Sequence, residues 1–231
     1  MLHILFEDYH CLAINKPAGL LTQAPPGVPS LEELVRAYIK EKYHKPGNVY
    51  LGIPHRLDRP VSGAIVFARN TKAAQRLAEQ FQKREAKKVY WALVQGEPIP
   101  ESGIMEDWLC KLPEQARTEV AKEGDVGAKK AVLQYRSLDC IAGRTLLEIR
   151  PKTGRPHQIR VQLASRGHPV WGDEIYGSSV PFGPTAELAR DRIIALHARS
   201  LTFLHPIRYE PITAVAPLPE FWSHLPFAGS D

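Results

Sequence analysis

The stretch HRLDRPVSGAIVFA, residues 55–68, joins a charged loop to an apolar run that is typical of a buried strand. The loop places an imidazole, a guanidinium and a carboxylate within four positions. Pro60 excludes a helix and disfavours helical backbone at the residue before it, so the loop is expected to have a preset shape. If the segment is extended, Arg56 and Asp58 project from the same side. The pattern therefore predicts a carboxylate at the mouth of a strand, with cations beside it.

Asp58 is the residue of this loop that is a candidate for a catalytic role. Neighbouring positive charge lowers a carboxyl pKa and keeps the group ionised. An ionised carboxylate can act as a nucleophile, as a base or as one half of a structural ion pair, and the loop alone leaves these alternatives open. Ser62 and Gly63 are expected to form the turn into the strand, whereas His55 and Arg59 receive no role from the pattern.

The segments on either side of this stretch predict two helices. The first runs from about Leu31 to Tyr43, with Ser30 as its N-cap. The second begins at Asn70 or Thr71 and has an apolar side and a basic side. The basic side is either a solvated face or a contact surface for an anionic partner. The apolar side consists of Ala74, Leu77, Ala78 and Phe81, and the basic side of Lys72, Arg76 and Lys83.

Most of the remaining chain predicts strands. KVYWALVQG (88–96) reads as one strand, residues 135–151 read as a hairpin around Ala142 and Gly143, and residues 99–130 indicate strands or loops. Short β-like runs follow within 168–207. Because strands outnumber helices and follow one another directly, we expect an α+β fold around an antiparallel or mixed sheet rather than an alternating parallel one.

A second basic segment, TGRPHQIR (153–160), is a candidate anion-binding surface. It places Arg155, His157 and Arg160 within six positions, on a turn that leads into a short helix. Guanidinium groups, an imidazole and the N–H groups at a helix start all favour phosphate. The alternative is a capped helix with a solvated basic end.

The composition narrows the class of protein. The chain has 231 residues, 44% hydrophobic and 24% charged, which suits a folded domain with a core. A net charge of +5 favours an anionic partner such as RNA or DNA, although many enzymes are as basic. No apolar stretch is long enough for a membrane helix and the N-terminus lacks a leader pattern, so we expect a cytoplasmic protein. Three cysteines without paired spacing predict neither disulfides nor a metal site.

Five segments, in their order and spacing, resemble the motifs of the RluA family of RNA pseudouridine synthases. The resemblance covers about residues 4 to 215. The segments are INKPAGLL (14–21), HRLDRPVSG (55–63), KKVYWALVQG (87–96), TGRPHQIRVQLASRGHPVWGDEIYG (153–177) and LHARSLTFLHP (196–206).

The resemblance implies a fold and a set of site residues. The fold is an α+β catalytic domain with a long, bent, mainly antiparallel sheet flanked by helices and a central active-site cleft. We expect one such domain over residues 1–231, without a preceding S4 domain. Asp58 matches the catalytic aspartate, Tyr90 the tyrosine that stacks on the target base, and Arg160 the arginine that pairs with the aspartate. Arg56 matches the residue that fills the space left by the flipped base.

The resemblance also implies the reaction, the isomerisation of uridine to pseudouridine in ribosomal or transfer RNA, with no cofactor and no metal. The phosphate backbone of that RNA is expected to contact Arg155, His157 and the basic side of the second predicted helix, and Gln162 stands where many relatives have histidine. A monomer is expected, because no heptad pattern is present. The alternative is a catalytically silent RNA-binding module. A glycosidase or phosphotransferase would need a second carboxylate or a Mg²⁺ cluster, and the sequence offers no such pattern.

Overall fold

A computed structural model describes residues 2–98, 100–112, 115, 117–141 and 143–222 of the chain. The chain divides into two compact units. The first unit comprises Met1–Lys88 and Ala198–Pro219, and the second comprises Val89–His197 and Glu220–Asp231. The prediction of a single domain over the whole chain stays a prediction.

The first unit is built on strands at the two ends of the sequence. Strands β2 (Cys11–Lys16) and β3 (Ser62–Ala68) pair in an antiparallel register that places Lys16 opposite Gly63. The loop that follows β2 and the loop that precedes β3 therefore start from the same end of this strand pair. The strand order is β1-β2-β3-β9, with β10 beside β9. The strands are β1 (His3–Glu7), β2 (Cys11–Lys16), β3 (Ser62–Ala68), β9 (Leu196–Leu204) and β10 (Pro211–Val215).

Two helices of the first unit confirm the predicted caps. Helix α1 (Leu31–Lys42) begins after Ser30, whose hydroxyl accepts a hydrogen bond from the Glu33 backbone N–H. Helix α2 (Thr71–Gln82) begins after Asn70, whose side chain accepts one from the Ala73 N–H. Each cap satisfies one of the N–H groups that a helix start leaves without an intrahelical partner.

The apolar side of α2 differs from the prediction at one position. Leu77 is buried and Ala74 and Phe81 pack against the core, but Ala78 is exposed and was wrongly assigned to this side. Gln80 is buried in its place. Its amide donates to the Leu204 carbonyl at 2.9 Å and accepts from the Leu204 N–H at 2.8 Å, so both polar atoms of this side chain have a partner within the packed face.

The described residues of the second unit form an antiparallel sheet, one short α-helix, α3 (Gln158–Ala164), and short 3-10 helices. The predicted hairpin is present as β7 and β8, and residues 99–130 supply strands as expected. Every pairing between strands whose register is described is antiparallel, which confirms an α+β fold with a mainly antiparallel sheet. The order β4-β8-β7-β5-β6 involves β4 (Lys87–Gln95), β5 (Ser102–Leu112), β6 (Arg117–Ala121), β7 (Lys129–Ile141) and β8 (Arg144–Pro151).

Some expectations remain untested. The bend of the sheet and a central cleft stay predictions. Trp222 is buried, and residues 223–231 lie outside the described part of the chain. None of the described helices is long and apolar enough to cross a membrane.

Candidate active site

Asp58 lies on the loop that enters β3. Its carbonyl accepts a hydrogen bond from the Val61 N–H at 3.1 Å, which closes a turn through Arg59 and Pro60. Gly63 follows with a φ of +118°, and a Cβ there would come within 2.3 Å of the Ala198 carbonyl oxygen. Only glycine fits this close approach between backbones, so the sequence around Asp58 fixes where the loop joins the strand.

The backbone on the N-terminal side of Asp58 is held by the side chain of Thr22. The Thr22 hydroxyl donates to the Leu57 carbonyl at 2.9 Å and accepts from the Leu57 N–H at 3.2 Å. Both residues are buried. One hydroxyl therefore satisfies both backbone groups of the residue directly before Asp58.

The backbone on the C-terminal side of Asp58 is held by the loop that follows β2. The Gly19 N–H donates to the Arg59 carbonyl at 2.8 Å, and Arg59 Nε donates to the Gly19 carbonyl at 2.9 Å. Arg59 received no role from the sequence. Its two hydrogen bonds with Gly19 connect the loop that precedes β3 to the loop that follows β2. The residues on both sides of Asp58 are fixed by this neighbouring loop.

Lys16 is a buried basic residue that contacts the same loop, and the sequence analysis missed it. Its Nζ donates to the carbonyls of Pro17, Leu20 and Arg59 at 2.8, 2.7 and 3.3 Å, which matches the three donors of an ammonium group. Burial lowers the pKa of Lys16 to about 7, while the nearby charge of Asp58 acts to raise that pKa. Asp58 therefore lies in the field of a buried amine.

The His55 side chain packs against α2 and holds the backbone of β3. Its Nε2 accepts a hydrogen bond from the Val66 N–H at 3.1 Å, and its ring stacks on Phe81 with centroids 4.2 Å apart. Burial lowers the pKa of His55 to about 3, with a smaller contribution from Lys88. The neutral ring anchors the start of the Asp58 loop to β3 and α2.

Arg56 and Leu57 differ in exposure, as expected for adjacent residues of an extended segment. Arg56 is exposed, whereas Leu57 is only 6% exposed. The side chain of Arg56 is therefore available to a partner in solution. Its assignment to the space left by a flipped base stays a prediction.

Tyr90 lies in β4, where it is paired with Ile149 of β8. Tyr90 and Trp91 are both half-buried. The stacking role of Tyr90 stays a prediction.

Arg160 in α3 forms a buried ion pair with Asp173, which the sequence analysis did not identify. Its Nε and Nη2 donate to the two carboxylate oxygens at 2.6 and 2.8 Å, and the two side chains are 3% and 1% exposed. The guanidinium also lies 5.0 Å from the centre of the Tyr176 ring. The signal for Asp173 was its place in the GDEIYG part of the fourth motif. The predicted pairing of Arg160 with Asp58 stays a prediction.

The side chains of His157 and Arg155 both make hydrogen bonds within the second unit. His157 has a left-handed backbone with a φ of +53°, and its Nδ1 lies 2.9 Å from the Tyr176 hydroxyl. Arg155 Nε donates to the Lys130 carbonyl at 2.9 Å. These bonds fix the turn ahead of α3, and the assignment of both side chains to RNA stays a prediction.

The basic side of α2 is less available than its sequence indicates. Arg76 donates to the Pro206 carbonyl at 2.7 Å and lies over the Tyr209 ring, and Lys83 forms an ion pair with Glu79 at 2.6 Å. Lys72 is exposed. Of the three predicted RNA contacts on this helix, two are already engaged within the protein.

One group of side chains in the described residues has the composition of a metal site, namely Asp8, Cys11 and His205. His205 Nε2 lies 2.7 Å from Asp8, and its Nδ1 accepts from the backbone N–H groups of Ile207 and Arg208. Asp8 also accepts from the Cys11 N–H at 2.8 Å. Both imidazole nitrogens lie within hydrogen-bond distance of protein atoms, so in this structure these residues form a hydrogen-bonded cluster.

Comparison with known proteins gives consistent matches. Residues 10–165 match the family described as RNA pseudouridylate synthase. The chain is 39% identical over 226 residues to the ribosomal large subunit pseudouridine synthase D of Xylella fastidiosa, covering 95% of this chain and 66% of that relative. It is 35% identical over 216 residues to the dual-specificity RNA pseudouridine synthase RluA of Escherichia coli, covering 93% and 92%. The structure of human RNA pseudouridylate synthase domain containing 4 superposes with a TM-score of 0.79 at 26% identity, covering 96% and 90%.

Proposed function

Because the chain belongs to the RluA family of RNA pseudouridine synthases, we propose that it isomerises specific uridines in ribosomal or transfer RNA to pseudouridine. The observation that carries the proposal is the family match over residues 10–165, which includes Asp58, Tyr90 and Arg160. The chain spans 66% of the length of the first relative described above, so the reaction and the substrate are proposals for this chain.

The proposed reaction breaks the N1–C1′ bond of uridine and forms a C5–C1′ bond. C5 loses its proton and N1 gains one, so the product has the same composition as the substrate and no oxidant or reductant is needed. An ionised Asp58 acts either by attacking C1′ or by removing the 2′ proton. In the proposed mechanism Tyr90 stacks on the uracil and takes part in the removal of the C5 proton.

Basic residues lie near Asp58 in the sequence and in the first unit. Lys16 places a buried amine within electrostatic range of the carboxylate. The proposal adds Arg160 as a direct partner. A guanidinium has five N–H donors, so the bidentate pair with Asp173 is compatible with a second acidic partner. Asp173 would then hold Arg160 in a fixed orientation.

RNA binding in this proposal relies on exposed cations and on extrusion of the target base. Arg56 and Lys72 are exposed and are assigned to the RNA, whereas Arg76 and Lys83 contribute less because they are engaged elsewhere. Flipping a base costs on the order of a few kcal/mol, which stacking and phosphate contacts must offset. A cytoplasmic location and a monomeric state are further parts of the proposal.

The test uses RNA transcribed with tritium at C5 of uridine, because tritium leaves when the C5–C1′ bond forms. The wild-type chain is expected to release tritium from ribosomal or transfer RNA, and Asp58→Asn is expected to release none above background. Glu79→Gln removes a carboxylate on the exposed side of α2 and is expected to keep wild-type activity. These three proteins isolate the loss of the Asp58 charge from the general effect of removing a carboxylate.

Two results would contradict the proposal in different ways. Tight RNA binding without tritium release from any RNA class would favour a silent RNA-binding module. Tritium release by Asp58→Asn would keep the reaction and remove Asp58 from it.

A further inference from the structure

Thr22 connects the Asp58 loop to the start of a helix. On one side its hydroxyl makes both hydrogen bonds to Leu57, with lengths of 2.9 and 3.2 Å. On the other side its carbonyl accepts from the Glu32 N–H at 3.1 Å, and the preceding Leu21 carbonyl accepts from the Leu31 N–H at 2.8 Å. The first turn of α1 therefore holds the backbone of Thr22, and Thr22 holds the backbone of Leu57.

The environment of this contact makes it rigid. Thr22 and Leu57 are 3% and 6% exposed, so water has little access to the hydroxyl or to the Leu57 backbone groups. A buried backbone group that loses its partner is unfavourable, and here both groups of one residue depend on a single side-chain oxygen. The two peptide groups that flank the Leu57 Cα are thus both held by the Thr22 hydroxyl.

We infer that Thr22 is a positioning residue for the catalytic carboxylate. This inference rests on the proposed function, in which Asp58 acts on the ribose. Asp58 follows Leu57 directly, so any rotation of the Leu57 backbone moves the Asp58 Cα and its carboxylate. Misplacement of a reacting group by about 1 Å is sufficient to reduce a rate by roughly 100-fold.

Other hydrogen bonds to the Asp58 loop do not replace those of the Thr22 hydroxyl. The contacts of Lys16 and Gly19 hold Arg59, on the far side of Asp58, and His55 holds the loop three residues earlier. Without the Thr22 hydroxyl, His55 and Arg59 would keep their hydrogen bonds to the rest of the protein, but the Leu57 backbone between them would lose its fixed orientation. The expected defect is therefore larger in catalysis than in RNA affinity, to which Arg56 of the same segment is assigned.

The experiment compares Thr22→Val with Thr22→Ser. Valine keeps the shape of threonine and removes the hydroxyl, whereas serine keeps the hydroxyl. Thr22→Val is expected to lower the single-turnover rate of tritium release at saturating RNA by about 10- to 100-fold, with a smaller change in the Kd for the RNA. Thr22→Ser is expected to restore the rate to within about threefold of wild type. Thr202→Val, which removes a hydroxyl from an exposed pair on β9 and β10, is the matched control with no expected change.

The outcomes separate this inference from the proposed function. A wild-type rate for Thr22→Val, in a protein whose Asp58→Asn variant is inactive, overturns the inference and leaves the proposed function intact. Equal losses in Thr22→Val and Thr22→Ser also overturn it, because the hydroxyl would then not be responsible. Thermal melting checks the fold, with Thr22→Ala as a second variant. If neither Val nor Ala folds, Thr22 serves the fold and not the loop, and the inference is likewise overturned.

Discussion

Asp173 holds Arg160 through two parallel hydrogen bonds, from Nε at 2.6 Å and from Nη2 at 2.8 Å, between side chains that are almost fully buried. Such a fork fixes the plane of the guanidinium as well as its position. The pair is local to the second unit, since the two residues lie 13 positions apart in the chain. It gives the arginine a defined orientation before any substrate is present.

Asp173→Asn is expected to destabilise the protein and to reduce its activity. The substitution leaves the Arg160 charge buried without its carboxylate, and breaking a buried pair in this way costs about 3–5 kcal/mol. Urea unfolding measures the stability, and tritium release under conditions where the variant is folded measures the rate. Glu79→Gln, which breaks an exposed pair on α2, is the control and is expected to change neither. A folded Asp173→Asn protein with full stability would show that the pair carries little energy.

Lys16→Met is expected to change how stability depends on pH. In the folded protein burial lowers the pKa of Lys16 to about 7 from an ordinary value of 10.5. Between those values the unfolded chain binds a proton that the folded chain does not, so stability from this group rises as the pH increases from about 7 to 10. Below pH 7 the buried charge is a constant cost.

The measurement is urea unfolding of wild type and Lys16→Met at several pH values from 6 to 10. The difference, wild type minus variant, is expected to increase with pH over this range. A flat difference would mean that Lys16 keeps its charge throughout, held by the carbonyls of Pro17, Leu20 and Arg59.

Local features of the fold could be predicted because their causes lie within a few residues. Ser30 and Asn70 cap helices through backbone N–H groups three positions ahead, and the β7–β8 hairpin turns at Gly143. Each depends on a residue type and its immediate neighbours. The position of Ala78 could not be predicted, because the width of an apolar face depends on what packs against it.

The contacts that organise the candidate site could not be predicted by local rules. Thr22 and Leu57 are 35 positions apart, and Lys16 and Arg59 are 43 apart. Periodicity and capping patterns contain no information about such pairs. The family motifs indicated Asp58 and Arg160 as site residues, but not the hydroxyl, the carbonyls or the carboxylate that hold them.

His55→Phe is expected to remove a pH-dependent part of the stability. Loss of solvation on folding lowers the pKa of His55 to about 3, below its ordinary value of 6.5, so the unfolded chain binds a proton between these values and the folded chain does not. This contribution is complete above pH 6.5 and is lost as the pH falls towards 3. Phenylalanine keeps the stack on Phe81 but cannot accept from the Val66 N–H.

Two measurements check the state of His55. The wild-type stability relative to His55→Phe is expected to fall as the pH is lowered from 6.5 to 4.5. Over the same pH range, nitrogen-15 NMR of the imidazole is expected to show a neutral ring. Its Nε2 is expected to be unprotonated and to accept a hydrogen bond from the Val66 N–H. A ring that becomes protonated near pH 6 would contradict the structural assignment of His55.

Lys72→Ala and Arg76→Ala are expected to have different effects, although sequence places both on the basic side of α2. Lys72 is exposed, and its removal is expected to weaken RNA binding uniformly across sequences and to reduce the salt slope of the binding constant by about 1. Arg76 binds the Pro206 carbonyl and covers the Tyr209 ring, so its removal is expected to lower stability instead. Filter binding over a range of salt concentrations measures the first effect, and urea unfolding measures the second. Equal losses of RNA affinity in the two variants would show that Arg76 leaves its internal contacts when RNA binds.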